Sequence, residues 1–345
     1  MRFPRCLPAG LRVSRFSVSG DALAGRAGHV PRLELMLSPR IGVVGATGAV
    51  GRVTLELLRE RGYANVRAFA SQRSAGTRIG DLEVEEATPA ALSAGDLDLC
   101  LFSVGTAASR ELVPGAVAGG ALCVDKSSAF RLEDGVPLVV PEVNGERAND
   151  HAGIVANPNC CSIPLAIALA PLRDTAGLRN VRVATYQSAS GAGSQAMERL
   201  RGESPEEHDL RMDWSFDGVE LDEEAKIRAE TRKILELPEL PVSATCVRVP
   251  VLVGHAEAVW VETEEPLSAE DADRVLRAAS GLRREQFPTP AKAVGHDDVF
   301  FGRIRQDPAD SNGLALFLAC DNLRKGAALN AIQIAELLLR DRAAV

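Results

Sequence analysis

Arg40-Ile41-Gly42-Val43-Val44-Gly45-Ala46-Thr47-Gly48-Ala49-Val50-Gly51 decides the fold. A short β-rich run meets three glycines spaced G-x-x-G-x-x-G, and the helical stretch Arg52 to Glu60 follows directly. Strand, glycine turn and helix N-terminus together let a backbone approach a pyrophosphate closely, with helix N–H groups facing the anion. The spacing departs from the usual G-x-G-x-x-G, and a plain glycine-rich strand-to-helix loop is its structural alternative. On the dinucleotide reading, Gly45, Thr47, Gly48, Ala49 and Val50 line the cofactor. The next strand, Asn65 to Ala70, ends where an NAD-binding unit places an acid on the ribose. Here Ser71-Gln72-Arg73-Ser74 stands instead, and Arg73 with Ser74 suits a 2′-phosphate, so the expected cofactor is NADP.

Val155-Ala156-Asn157-Pro158-Asn159-Cys160-Cys161 carries the second signal. A β-branched run breaks at Asn-Pro and delivers thiols to a stretch, Ser162 to Ala170, that tolerates a helix start, with Pro164 early where its missing N–H costs little. A thiol there meets unpaired backbone N–H groups and the positive end of a helix dipole, with Asn159 as a side-chain donor. The residues alone do not choose Cys160 over Cys161, and a buried structural pair is the alternative.

Outward from these motifs, strand-like runs (Ile41 to Val44, Asn65 to Ala70, Leu97 to Ser103, Ala121 to Val124, Val136 to Val140) alternate with helical patterns at Ala49 to Arg61 and Thr106 to Ala118. That alternation predicts a parallel, helix-covered sheet. Beyond Cys161 longer β segments (Asn180 to Ser188, Ser243 to Val253, Glu257 to Thr263, Phe300 to Arg305, Leu314 to Ala319) predict a mixed or antiparallel sheet. Helices at Ser162 to Arg173, Gly193 to Arg201 and Ser268 to Ala279 would cover one face of it. A last amphipathic helix, Gly326 to Leu339, is expected to pack back on the first domain. Glu203 to Glu239 is charge-dense and reads as partly helical surface.

The chain has 345 residues, room for about two domains. Its first 40 residues hold seven Arg, no Lys and two acids, a local charge of +5 against −13 for the remainder of a total of −8. The acidic body argues against nucleic acid as a partner. Residues 1–39 read as a disordered extension, either an Arg-rich transit segment or an upstream start with Met36 as initiator. Seven cysteines in no C-x-x-C or Cys/His ligand spacing suggest neither a disulfide framework nor a metal site and fit a reducing cytoplasm. No apolar run reaches the about 18 residues that cross a bilayer. The fold expected is α/β: a Rossmann-like NADP-binding domain at 40–159, completed by a C-terminal helix within 322–345, and an α+β catalytic and dimerisation domain at 160–321.

Taken in order, several motifs resemble one family, the aspartate-β-semialdehyde dehydrogenases. They are the glycine turn Gly45 to Gly51, Ser71 to Ser74, Phe130-Arg131, Asn157 to Cys160, Thr185 to Gln187, Ser190 to Gly193, Glu223 to Lys226, Val247 to Pro250, His255 to Glu257, and Asp321 to Ala328. The resemblance implies a second domain of the glyceraldehyde-3-phosphate-dehydrogenase type. It also implies reduction of L-4-aspartyl phosphate by NADPH to the semialdehyde, a step toward lysine, threonine, methionine and isoleucine. It makes Cys160 the nucleophile that forms a thioester, His255 the acid/base, and Asn159 a donor to the oxyanion. Arg248 then clamps the substrate carboxylate, Glu223 meets the ammonium, Gln187 orients the acyl group, and Arg131 and Lys226 hold phosphate. Ser190 and Gly191 contact the nicotinamide, with Asn322 beside its amide. The family carries Ser or Thr where this chain has Cys161, which reads as a residue facing away or as a redox-sensitive neighbour. His255 is singled out among five His because it follows Arg248 across the turn at Gly254. The resemblance also implies a homodimer or homotetramer. N-acetyl-γ-glutamyl-phosphate reductase is the rival enzyme, and a non-catalytic paralogue the rival of another class.

Overall fold

A computed structural model describes residues 38–202 and 213–344. The Arg-rich leader reading and the start of the charge-dense stretch lie outside the described residues. The first half builds seven strands: β1 (Ile41–Val44), β2 (Val66–Ala70), β3 (Arg78–Ile79), β4 (Leu82–Glu86), β5 (Leu99–Phe102), β6 (Leu122–Asp125) and β7 (Ile154–Ala156). They lie in the order β3-β4-β2-β1-β5-β6-β7, parallel throughout except for the β3–β4 pair. The order reverses at β1, whose neighbours β2 and β5 come from opposite sides of the sheet, and ligands of open α/β sheets settle at such a switch point.

Helix α1 (Ala49–Glu60) leaves β1 through the glycine turn, and α2 (Thr106–Ala118) follows β5. The glycine spacing has a steric cause. Gly45 sits at φ +85°, and a Cβ there would fall 2.3 Å from the Ser103 carbonyl oxygen; one on Gly51 would fall 2.2 Å from the Gly45 oxygen. Gly48 has no such clash, its tightest neighbour being 3.4 Å away. The first and third glycines thus let α1 close against the sheet, and α1 begins with no side-chain cap and no acid in its first turn.

The second half builds β8 (Asn180–Gln187), β9 (Val242–Arg248), β10 (His255–Glu262), β11 (Leu282–Arg284), β12 (Val299–Gln306) and β13 (Gly313–Cys320) in the order β11-β12-β13-β10-β8-β9. Its inner pairs are antiparallel and its two edge pairs parallel, the mixed sheet that the sequence predicts. Helix α3 (Ser162–Ala176) is buried from Ser162 to Ala170, because it lies between this sheet and the other helices with an almost unbroken apolar composition. Helix α4 (Ser194–Arg201) is short; α5 (Asp222–Leu235) and α6 (Ala269–Ala278) share the apolar core of α3 through Ile227, Ile234, Ala272 and Leu276. The opposite sheet face carries Tyr186, Val247 and Trp260 more than a third exposed. Helix α7 (Leu329–Ala344) returns to the first sheet, where Ile332, Ile334 and Leu338 pack with Ile41, Val43, Leu57 and Val155.

Two expectations need correction, and one hairpin escaped the sequence reading. Val136 to Val140 is no strand: Pro137 has no N–H, Pro141 opens a short helix, and only a bridge between Leu138 and Ala156 remains, so β7 is the sheet edge. The run Ser243 to Val253 stops at Arg248, because Pro250 cannot donate to a ladder and the chain turns at Gly254 with φ +94°. The β3–β4 hairpin, turning at Gly80 with φ +60°, went unread because its strands are short and charged.

Candidate active site

The site forms at one end of the second sheet, against the N-terminal end of α3. Alternation puts Thr185 and Gln187 of β8, Cys246 and Arg248 of β9, and His255 and Glu257 of β10 on the face toward α3. Cys160 and Cys161 precede Ser162, the first residue of α3. Cys160 Sγ, Cys161 Sγ and a His255 ring nitrogen lie within 4.8 Å of one another, although His255 is far away in sequence. That triad of donor atoms is also close enough for a thiophilic cation, which ligand spacing in the sequence did not reveal.

His255 is held by its other nitrogen. The Ser188 N–H donates to Nδ1 at 3.0 Å, so Nδ1 is an acceptor and the neutral ring carries its proton on Nε2. Nε2 is buried with no hydrogen-bond partner. Gly191 closes over the ring, and a Cβ on it would lie 2.8 Å from Arg248 Nη1 and 3.1 Å from His255 Nε2.

The Cys160 thiol is held well below the usual thiol range, chiefly because the Cys161 thiol donates to it, with the imidazole and the Arg248 charge adding against the cost of burial. Burial first, then the neighbouring thiolate, pushes Cys161 well up, so it stays a neutral donor. Cys161 is fully buried toward the site, which corrects the reading of it as facing away.

Asn159 is pinned rather than free. Its Oδ1 accepts from the Cys161 N–H at 2.8 Å and its Nδ2 donates to Glu223 at 2.9 Å. The Cys161 N–H at the start of α3 is therefore already taken, and Ile163 N–H bonds to the Asn159 carbonyl. Gln187 Nε2 also reaches Glu223, at 3.3 Å. Burial, then the Cys160 charge, raises the Glu223 carboxyl above its ordinary range.

Arg248 donates from Nη1 to the Ser188 carbonyl at 3.0 Å and from Nη2 to Asp213 at 2.8 Å, and it lies 4.6 Å above the Trp214 ring. Arg131 forms a buried ion pair with Glu230 at 2.9 Å and also bonds to the Asn157 and Lys126 carbonyls. Lys226 pairs with Asp222 at 2.7 Å. Asn322 knots the turn before β10: its Oδ1 accepts from Gly254 N–H at 2.8 Å and its Nδ2 donates to Ser190 Oγ at 2.9 Å.

One cavity of about 410 Å³ brings Cys160, Asn159, Gln187, Glu223, Arg248, Arg131, Lys226, Val50, Ser190, Gly191 and Asn322 to a common wall. Gly45, Thr47, Gly48 and Ala49 are not in that wall; they continue from Val50 along the glycine turn, and Arg73 and Ser74 occupy a single 3-10 turn after β2. Sequence reasoning missed Glu230, Ser188, Asp213 and Trp214. Glu230 had a signal: with Glu223 and Lys226 it keeps the i, i+3, i+7 spacing of one helix face. The others act through backbone or through turns that carry no pattern.

Residues 40–151 match the NAD-binding domain of semialdehyde dehydrogenases, and residues 169–214 and 215–325 match their dimerisation domain. Fold and domain matches thus define a semialdehyde dehydrogenase with an NAD-binding and a dimerisation domain. The aspartate-semialdehyde dehydrogenase of Streptomyces akiyoshiensis is 44% identical over 333 residues, covering 87% of this chain and 98% of that protein. That of Aquifex aeolicus is 41% identical over 335 residues, covering 88% and 98%. Among solved structures, aspartate semialdehyde dehydrogenase II of Vibrio cholerae, complexed with ASA, superposes with a TM-score of 0.83 at 37% identity over 88% of this chain and 99% of that one. The Candida albicans enzyme with NADP gives 0.71 at 25% identity over 89% and 99%. The chain belongs to the aspartate-semialdehyde dehydrogenase family. Among the described residues no helix is long and apolar enough to cross a membrane.

Proposed function

We propose that this chain reduces L-4-aspartyl phosphate to L-aspartate 4-semialdehyde with NADPH and releases phosphate, through a thioester on Cys160. The observation that carries the reading is that Cys160, backed by the buried Cys161 and His255, lines a cavity that also presents Arg248 and Glu223. Residues 40–159 with α7 form the cofactor unit and 160–321 the catalytic and dimerisation unit; the assembly is a homodimer, or a tetramer built from it, in the cytoplasm.

The chain's residues suit the cofactor. The uncapped, acid-free start of α1 leaves N–H groups for a diphosphate, the glycine turn permits close approach, and exposed Arg73 beside Ser74 offers donors to a 2′-phosphate. Ser190, Gly191 and Asn322 would hold the nicotinamide end. NADPH supplies a hydride.

The Cys160 thiolate attacks the acyl carbon, and phosphate leaves toward Arg131 and Lys226. Those two cations are each balanced by a carboxylate, which holds the Arg131 guanidinium and the Lys226 ammonium in place before phosphate arrives. Arg248 binds the α-carboxylate in place of Asp213, and Glu223, held by Asn159 and Gln187, meets the α-ammonium. The Nε2 proton of His255 faces the reacting carbon's oxygen and sulfur, because Ser188 occupies Nδ1. Once the thioester carbon has taken the hydride, the Nε2 proton stabilises the tetrahedral oxygen and is back on Nε2 as the C=O bond re-forms, the C–S bond breaks, and the aldehyde leaves with Cys160 again a thiolate. The N-acetylated glutamyl substrate of the rival reductase offers no ammonium to Glu223. The deciding assay is NADPH oxidation with aspartyl phosphate against N-acetyl-γ-glutamyl phosphate: turnover of the first alone is expected, and turnover of the second alone overturns the reading.

A further inference from the structure

We propose that Lys126, with Ser103 beside it, forms an additional phosphate-recognising subsite of the catalytic cavity, taking a phosphoryl oxygen of the acyl phosphate or of the cofactor diphosphate. The inference rests on the function proposed above and adds two residues that the family motifs did not pick out.

Phe102 and Asp125 end the adjacent parallel strands β5 and β6 and lie opposite one another in register. Ser103 and Lys126 are the next residues, so both stand at the C-terminal edge of the sheet, beside the glycine turn that Ser103 touches through its carbonyl. Both line the cavity that holds Cys160. The Lys126 ammonium nitrogen and the Ser103 hydroxyl oxygen are each buried without a hydrogen-bond partner.

Such orphans are costly, and the neighbours do not relieve them. The adjacent Asp125 carboxylate accepts instead from the Ser109 and Ser127 hydroxyls, at 2.7 and 2.6 Å. Among the described residues, every other cation in the wall has a carboxylate: Arg131 has Glu230, Lys226 has Asp222 and Arg248 has Asp213. Lys126 is the one cation among them with no carboxylate bonded to it. Burial pushes its ammonium down to about 7, against a smaller opposing pull from Asp125. An arriving phosphoryl group restores the charged form and supplies acceptors for Nζ and for the Ser103 Oγ–H.

Isothermal calorimetry on the intact protein tests this with two probes, inorganic phosphate and NADPH, which separates the sources. Lys126→Met should weaken one or both by about tenfold or more, the size of one charge-assisted hydrogen bond. Lys126→Arg, which keeps the charge, should retain most of the affinity, and Ser103→Ala should lose less than Lys126→Met. Weakened phosphate with unchanged NADPH assigns the subsite to the acyl phosphate, and the reverse assigns it to the cofactor. Lys126→Gln serves as a second neutral variant should Lys126→Met not fold. If the neutral variants bind both probes within about twofold of the parent, or if Lys126→Arg binds as weakly as they do, the proposal is overturned. Binding is read without turnover, so failure of the subsite is distinguishable from failure of the enzyme to use aspartyl phosphate.

Discussion

Glu230→Ala removes the residue that ties Arg131 to the loop carrying Cys160. Glu230 is 1% exposed and its partner Arg131 10%, and their ion pair is buried. The other Glu230 oxygen accepts the Asn159 N–H at 2.6 Å, one residue before Cys160. Deleting one partner of a buried pair costs about 3–5 kcal/mol, because the other charge is left uncompensated. The orphaned Asn159 N–H adds about 1–3 kcal/mol, though the two losses share one site and do not simply add. A net loss of about 4 kcal/mol is a large part of the about 5–15 kcal/mol that holds a domain folded, and it lowers the melting temperature by about 10 °C. Activity should fall further than stability explains, since a shift of about 1 Å in the thiol can cost about a hundredfold. Glu230→Gln still accepts from Asn159 and should lose about half as much stability. Differential scanning calorimetry and kcat on the same preparations measure both effects. A Glu230→Ala protein that melts within about 2 °C of the parent and keeps its kcat would refute the claim that this pair positions the loop.

Alkylation of Cys160 by iodoacetamide should show an inflection well below the ordinary thiol value of about 8.5, moving up in Cys161→Ala and staying low in Cys161→Ser, which keeps a donor; an ordinary inflection in the parent contradicts the thiolate. Gly191→Ala pushes a methyl to within 2.8 Å of Arg248 and 3.1 Å of His255, so kcat/KM should drop by at least about tenfold with little change in melting; unchanged kinetics would show that the turn does not pack on those side chains. Glu257 is buried without partners, and burial with the Cys160 charge holds its carboxyl well above the usual range. Above about pH 4.3 the unfolded chain therefore releases a proton that the folded chain keeps, and stability falls as pH rises toward the raised value. Glu257→Gln should remove that slope and gain more in melting temperature at about pH 8 than at about pH 5; equal gains would contradict a raised carboxyl.

Much of this was legible in the residues because steric and periodic demands leave marks. The glycine turn could be read because Gly45 and Gly51 admit no side chain, and α2 could be read to its ends because Thr106 to Ala118 lies between glycines at 105 and 119. The strands β8 and β10 show alternation that survives in the structure. Val136 to Val140 misled because apolar composition says nothing about the prolines that deprive it of a ladder. The site's titratable residues were read from motifs, but their support was not. Ser188 meets His255 Nδ1 through its backbone N–H, which any residue but proline would supply, and through a hydroxyl that no spacing singles out, and the lack of a hydrogen-bond partner at Lys126 is a property of its surroundings. Glu230 sat inside a charge-dense segment read as surface, where only its spacing from Glu223 separated it from solvent-facing neighbours.

The proposed mechanism turns on Cys160 capturing the acyl group. Incubating the enzyme with aspartate semialdehyde and NADP in the absence of phosphate, quenching in acid and mapping the peptides by mass spectrometry should find an aspartyl thioester on Cys160, absent from Cys160→Ala and discharged when phosphate is added. An acyl group on Cys161 or elsewhere, or catalytic turnover with no adduct on any residue, would contradict it.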